Sequence, residues 1–375
     1  MKRGLPAGLL VLTFLVITTL TVFGQGQGVK NLVLMIGDGM GIQQVTAARV
    51  ASQGADGSIN VDRIKYTGFA LTHSANNLIT DSGAAGTALA TGYKTNNGFI
   101  AISPNREKLK SILILAGELG KKVGIVTTTN LTDATPAAFG ANNISRQNKA
   151  EIAADLLNKD IDLLLGGGLD TFGADLFTRQ PKPDSLIKEA EKKGYTFIDT
   201  TAGLKDLATA ERVLGLFNFG DLNYYDERFV FEPGLAEMTV QALRFLVNEQ
   251  GFFLLIEGGR IDDASHQNDP DKTIKETVEF DQAVGIVLDY AEKSGDTLVI
   301  VTADHQTGGF SLNGGLLDGQ NLKIGWSTGG HSGSMVPVYA FGPGAINFTG
   351  TRHLSILSRL MAEQLGISEF PQLYR

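Results

Sequence analysis

The chain has 375 residues, 43% of them hydrophobic and 19% charged, with 32 basic against 40 acidic side chains. That balance excludes a disordered chain, and the acidic excess argues against nucleic acid or an anionic lipid surface as the main partner. There is no cysteine, so disulfides, thiolate nucleophiles and thiolate metal ligands are excluded, and any metal must be held by the five histidines, by carboxylates or by hydroxyls.

The first 28 residues, "MKRGLPAGLLVLTFLVITTLTVFGQGQG", run from basic Lys2 and Arg3 through an apolar stretch to small residues near Gly24. This is the pattern of a secretory signal peptide over residues 1–24, and the polar GQGQG that comes after it argues against a retained membrane anchor. Its removal takes two basic residues and leaves 30 against 40 acids, in a periplasmic or secreted protein. Residues 25–375 then read as a single domain. Apolar runs at 31–38, 68–74, 122–129, 161–168, 252–259, 297–305 and 337–342 predict strands, most of them nearly continuous, as in a sheet covered on both faces. Helical patterns lie between them, at 107–122 and at 271–295, the latter closing on Gly295. The alternation predicts an α/β fold with a mostly parallel central sheet and helices on both faces. The polar stretch from about 172 to 235 is the least regular and is expected to be a surface insertion.

Chemically loaded residues recur where these strands end, the edge at which open α/β sheets bind ligands. "IGDGMG" sets Asp38 between glycines; Ile42 stands where a dinucleotide fingerprint needs its third glycine, so Asp38 reads as a metal ligand or a turn-stabilising acid. "TDSGAAGTALATGYKTNNG" places Asp81 and Ser82 before a run of small residues that leaves room for close approach, with Ser82 either a helix cap or a nucleophile. "DATPAAFGANNISR" offers Asp133, Thr135 and Arg146, whose guanidinium can fork onto phosphate. In "EGGRIDDASHQND" Asp262 and His266 are four apart and share a face if this is a helical turn, donors suited to zinc, while Glu257 upstream suits a harder cation such as magnesium; the alternative is a capped helix start with a surface histidine. Asp304 and His305 adjoin in "TADHQTGG", and His331 lies in "GGHSG". His266, His305 and His331 therefore read as ligands; His73 and His353, without such company, do not.

Taken in order, "NLVLMIGDGMG", "TDSGAAGTALATGYKTNNG", "VTTTNLTDATPAAF…SR", "LLIEGGRID…H", "VTADHQTGG" and "GGHSG" resemble the motifs of the alkaline phosphatases, from Val29 to about Gly342. The resemblance implies an exported enzyme that hydrolyses phosphate monoesters through a covalent phosphoserine at Ser82. It implies one zinc on Asp262, His266 and His331, and a second on Asp38, Asp304 and His305 with Ser82. It also implies a magnesium on Asp38, Thr135 and Glu257 with Asp133 behind it, phosphate held by Arg146, and Asp81 orienting that arginine. A homodimer is implied as well. Asp263 departs from the pattern, since relatives often carry Lys, His or Trp there; an acid beside Asp133 is expected to repel phosphate and weaken its retention. The alternatives are a phosphodiesterase or sulfatase of the same metal-hydrolase superfamily, or a non-catalytic exported metal- or phosphate-binding protein. Ser82-Gly83-Ala84 lacks the Pro and Arg of a sulfatase serine, and a diesterase resembles the pattern with Thr as nucleophile and without Arg146.

Overall fold

Ten strands pair into one sheet: β1 (Asn31–Gly37), β2 (Tyr66–Leu71), β3 (Lys122–Asn130), β4 (Leu163–Gly167), β5 (Tyr195–Ile198), β6 (Arg212–Leu216), β7 (Phe252–Gly258), β8 (Thr297–Thr302), β9 (Val336–Phe341) and β10 (Gly350–His353). The structure, a computed structural model, describes Met1 and residues 28–374; apart from Met1 the expected signal peptide lies outside the described residues. Across the sheet the order is β10-β2-β9-β8-β1-β7-β3-β4-β6-β5. Every neighbouring pair is parallel except the two made by β9. This is the α/β class that the alternating pattern predicts.

The apolar runs explain the centre of the sheet. Every residue of β1, β7 and β8 is buried, because helices cover both faces and leave no polar side for alternation. Five helices bear on the edge of the sheet where the polar residues gather: α1 (Ile42–Gln53), α2 (Ser82–Thr91), α3 (Ala134–Gly140), α4 (Arg260–His266) and α5 (Pro270–Ser294). They fall into two packed groups, α5 with α1 and α4, and α2 with α3 and the helix Leu354–Gln364. No helix among the described residues is long and apolar enough to cross a membrane.

Two helices differ in how well their ends were legible. α5 starts on Asp269, whose side chain accepts from the Asp271 and Lys272 N–H groups, and ends on Gly295 at φ 70°, as its sequence signals. The helix expected over 107–122 covers only Ile112–Glu118, since Ser111 caps it by accepting from Ile114 N–H. Leu109–Lys110 instead pairs with Gln372–Leu373. Within 172–235, β5 and β6 extend the sheet at one edge.

The parallel order positions the chemistry. β8, β1, β7 and β3 are consecutive neighbours, with Ile36 in register with Thr302 and Glu257, and Glu257 with Thr127. Their carboxyl ends therefore share one edge. Asp38, Asp133, Asp304 and His305 come directly after those ends, and α4 carries Asp262 and His266 onto the same edge. Leu34, fully buried in β1, tests the sheet alone. Leu34→Ala should lower stability by about 2–5 kcal/mol in urea denaturation.

Candidate active site

Ser82 is the first residue of α2, and Asp81 is its cap: Asp81 Oδ1 accepts from Ala84 N–H at 2.9 Å and Oδ2 from Gly98 N–H at 3.0 Å. With the cap supplied by its neighbour, the Ser82 hydroxyl is free for other work. Its Oγ lies 3.2 Å from His305 Nε2. The small residues behind it serve packing in part. A Cβ on Gly86 would sit 3.3 Å from both Thr135 Cα and Ala138 Cβ, so glycine there lets α2 and α3 close together and brings Thr135 to the site.

Arg146 is held between two acids, Nη1 3.3 Å from Asp81 Oδ2 and Nη2 3.3 Å from Asp133 Oδ1. Burial works against its charge, but Asp133 and Asp81 raise its pKa above the ordinary arginine value. Asp133 precedes α3 yet makes no side-chain cap, leaving its carboxylate to the arginine.

Two groups of candidate ligands form, Asp262 with His266 and His331, and Asp38 with Asp304 and His305, the ligand atoms of each group lying within 4.8 Å of one another. In the first, His266 Nδ1 is 2.8 Å from Gly329 O and His331 Nδ1 is 2.8 Å from Thr80 O. A carbonyl can only accept, so each Nδ1 carries the proton and each neutral ring turns a lone pair outward on Nε2. Those two Nε2 atoms are 3.1 Å apart, and Asp262 Oδ2 is 3.2 Å from that of His266. Three electron-rich atoms thus converge, an arrangement that a cation satisfies. The hydrogen bond to Asp262 pushes His266 up to about 9. Burial opposes the Asp262 charge, yet His266, His305 and His331 hold that carboxyl well below the usual range.

The second group is fully buried. His305 Nε2 is 3.1 Å from Asp304 Oδ2 and 3.5 Å from Asp38 Oδ1. Both of those oxygens, and Glu257 Oε1, are buried with no hydrogen-bond partner among the described residues. Burial, then the Asp262 charge, pushes Asp304 up to about 7; burial and Asp304 drive Asp38 well above the carboxylate range, and burial with His331 drives His305 well below 6.5. Thr135 Oγ1 stands 3.4 Å from Asp38 Oδ2. Glu257 Oε2 takes the hydroxyls of Thr127 and Thr129, and burial, then Asp133, pushes Glu257 up to about 8. The donor sets fit metals: nitrogen with oxygen in the two histidine groups suits zinc, and the all-oxygen corner of Asp38, Thr135 and Glu257 suits magnesium.

Every site residue expected from the sequence is therefore drawn to this edge, while His73 and His353 pair with each other, ring centroids 4.9 Å apart. Among the contributors missed are four around Glu257 and Asp263. Thr127 and Thr129 hold Glu257, and their alternation at the end of β3 opposite Glu257 was the available signal. Arg260 and Asp221 change the role of Asp263. Asp263 Oδ2 is 2.6 Å from Arg260 Nη1, which also reaches Asp221 Oδ2 at 3.2 Å and lies over the Tyr224 ring. Asp263 is thus paired with a cation, where an unpaired acid was expected; the i,i+3 spacing of Arg260 and Asp263 on one helix face was its signal. Burial lifts Asp263 to about 6, with Arg260 opposing.

A model of the alkaline phosphatase family matches residues 29–323. Alkaline phosphatase 4 of Bacillus subtilis strain 168 is 34% identical, covering 86% of this chain and 86% of its own. The alkaline phosphatase of Escherichia coli K12 is also 34% identical, over 90% of this chain and 86% of its own. Among solved structures, a mutant TAB5 alkaline phosphatase with magnesium bound is similar with a TM-score of 0.82 at 31% identity, over 93% of this chain and all of that one.

The titrations make a prediction for the metal-free protein. Folded Glu257 and Asp304 keep protons to about 8 and about 7, and folded His266 to about 9, each above its unfolded value. The folded chain binds more protons than the unfolded one, so this contribution is full below the unfolded values and is lost as pH rises through 7 to 9. In chelator the melting temperature should fall between about pH 5 and pH 9, and saturating Zn²⁺ and Mg²⁺ should abolish the fall; a flat profile in chelator would count against this assignment.

Proposed function

This chain belongs to the alkaline phosphatase family and is a phosphomonoesterase, and we propose that it passes the phosphoryl group of a monoester first to Ser82 and then to water. One observation carries the reading. A single serine hydroxyl, released from capping by Asp81, stands beside two clusters of converging lone pairs and a guanidinium held by two carboxylates.

In the first step Ser82 Oγ bonds to phosphorus as the bond to the alcohol oxygen breaks, giving phosphoserine and the free alcohol. In the second, water bonds to phosphorus as the Ser82 ester breaks, giving inorganic phosphate and regenerating the hydroxyl. Arg146 grips two phosphoryl oxygens through both steps, with Asp81 and Asp133 fixing its orientation. The helical ladder of α2 begins with Ala85 N–H to Asp81 O, so the N–H groups of Ser82 and Gly83 stand outside it and favour an anion at the helix start. Ser82 Oγ lies 3.2 Å from His305 Nε2, so the hydroxyl stands beside the second group of candidate ligands.

Asp262, His266 and His331 would hold one zinc, Asp38, Asp304 and His305 with Ser82 a second, and Asp38, Thr135 and Glu257 a magnesium with Asp133 behind it. Bound there, the ions supply positive charge that makes a hydroxyl or water more acidic and offsets negative charge in the transition state. The magnesium of the TAB5 relative supports a magnesium here. The same proposal takes residues 25–375 as one catalytic domain, exported to the periplasm or beyond and paired as a homodimer. The basic and then apolar start supports export, and the exposed Phe69 and Leu71 of β2 support self-association.

The mature protein should hydrolyse a chromogenic phosphate monoester at alkaline pH, lose activity in chelator and regain it with Zn²⁺ and Mg²⁺. Ser82→Ala should cost at least about a thousandfold in kcat. A zinc-loaded protein that ignores monoesters but cleaves a diester or a sulfate ester would overturn the substrate reading. Asp263→Lys should tighten inhibition by phosphate by only about three- to tenfold, because Arg260 already pairs with the acid; unchanged inhibition and turnover would remove Asp263 from the phosphate site.

A further inference from the structure

We propose that Thr307 is a positioning residue that sets both histidine clusters at once: its single hydroxyl proton goes to Asp262, which obliges His305 to carry its own proton on Nδ1 and to turn the Nε2 lone pair toward Ser82, Asp38 and Asp304. The inference rests on reading those clusters as metal sites.

Thr307 is fully buried. Its Oγ1 hydrogen-bonds to Asp262 Oδ1 and lies 3.2 Å from His305 Nδ1. A carboxylate oxygen only accepts, and a hydroxyl has one proton to give. That proton is committed to Asp262, so the contact with His305 exists only if Nδ1–H donates to Oγ1. A neutral ring then has no proton left for Nε2, the atom 3.2 Å from Ser82 Oγ and 3.1 Å from Asp304 Oδ2. The same bond anchors Asp262 Oδ1 and leaves Oδ2 for the cluster with His266.

The residue has no freedom to do otherwise. Its N–H donates to Gly39 O at 3.1 Å, and its carbonyl accepts from Gln44 Nε2 at 3.0 Å and Gln306 Nε2 at 2.8 Å. Its β-branch restricts the side-chain rotamer further. It pairs with His331 in the two-residue ribbon formed by Gln306–Thr307 and His331–Ser332, so a third histidine is aligned by the same segment. Gly39, at φ +72°, seals the contact: a Cβ there would lie 2.7 Å from Asp262 Oδ1 and 2.8 Å from Thr307 Oγ1. The Gly39 N–H also donates to Asp304 Oδ1 at 3.2 Å, tying the seal to the second cluster. A side chain that ligates nothing thus bears on both sites, as partners behind metal ligands do.

The test is zinc uptake by the full mature chain, stripped of metal and titrated against a chromogenic zinc chelator, for wild type, Thr307→Val and Thr307→Ser. Valine keeps the shape and removes the hydroxyl; serine keeps the hydroxyl. Thr307→Val should weaken both zinc ions by about 10- to 100-fold, and Thr307→Ser should stay within about threefold of wild type. The proposal is overturned if valine binds both ions as tightly as wild type, if it weakens only one, or if serine is as defective as valine. A wild type that takes up no zinc would instead overturn the metal reading. Should the valine variant fail to fold by circular dichroism, ¹⁵N spectra of the histidine side chains in wild type decide the tautomer directly. His305 protonated on Nδ1 supports the proposal, and protonation on Nε2 overturns it, whether or not zinc binds.

Discussion

Negative charge without water is the constraint on which the rest of this structure depends. Asp38, Glu257 and Asp304 are buried at the carboxyl edge of the sheet, each forced upward in pKa by burial and by its neighbours. Arg146 offsets part of that charge, but it is engaged by Asp81 and Asp133. A chain that folded only for stability would not leave carboxylate oxygens buried and unpartnered. The excess is intelligible as a receptacle for divalent cations, and the proposed chemistry uses the charge those ions bring.

The fold supplies the rigidity such a receptacle needs. Because β8, β1, β7 and β3 are parallel and adjacent, acids separated by more than two hundred residues arrive at one edge without a long loop between strand and ligand. The helix starts are used in the same economical way. Asp81 caps α2 and holds Arg146 with the same carboxylate, which leaves the serine beside it unencumbered.

Orientation is decided one layer further out, by groups that touch no substrate. Backbone carbonyls of Thr80 and Gly329 place the protons of His331 and His266, and the hydroxyls of Thr127 and Thr129 hold one oxygen of Glu257 while the other stays free. Arg260 makes Asp263 one half of an ion pair. Each is a short contact made by an ordinary residue, and together they fix where every lone pair points.

The residue types at the strand ends were legible in the sequence by itself, because short apolar runs alternating with helical patterns suit buried strands of a parallel sheet, and an acid or histidine just beyond such a strand stands at the sheet's edge. Asp38, Asp262, His266, Asp304 and His305 were found in that way, as was the end of α5 at Gly295. Tertiary structure alone decided that Asp81 rather than Ser82 caps α2, that Arg260 pairs with Asp263 and Asp221, and that Thr307 stands between Asp262 and His305. The physical reason is that a backbone carbonyl looks the same at every position of a sequence, and a threonine hydroxyl carries no mark of its partner. Which ring nitrogen keeps its proton depends on the acceptor that folding brings within 3 Å, and no spacing along the chain encodes that.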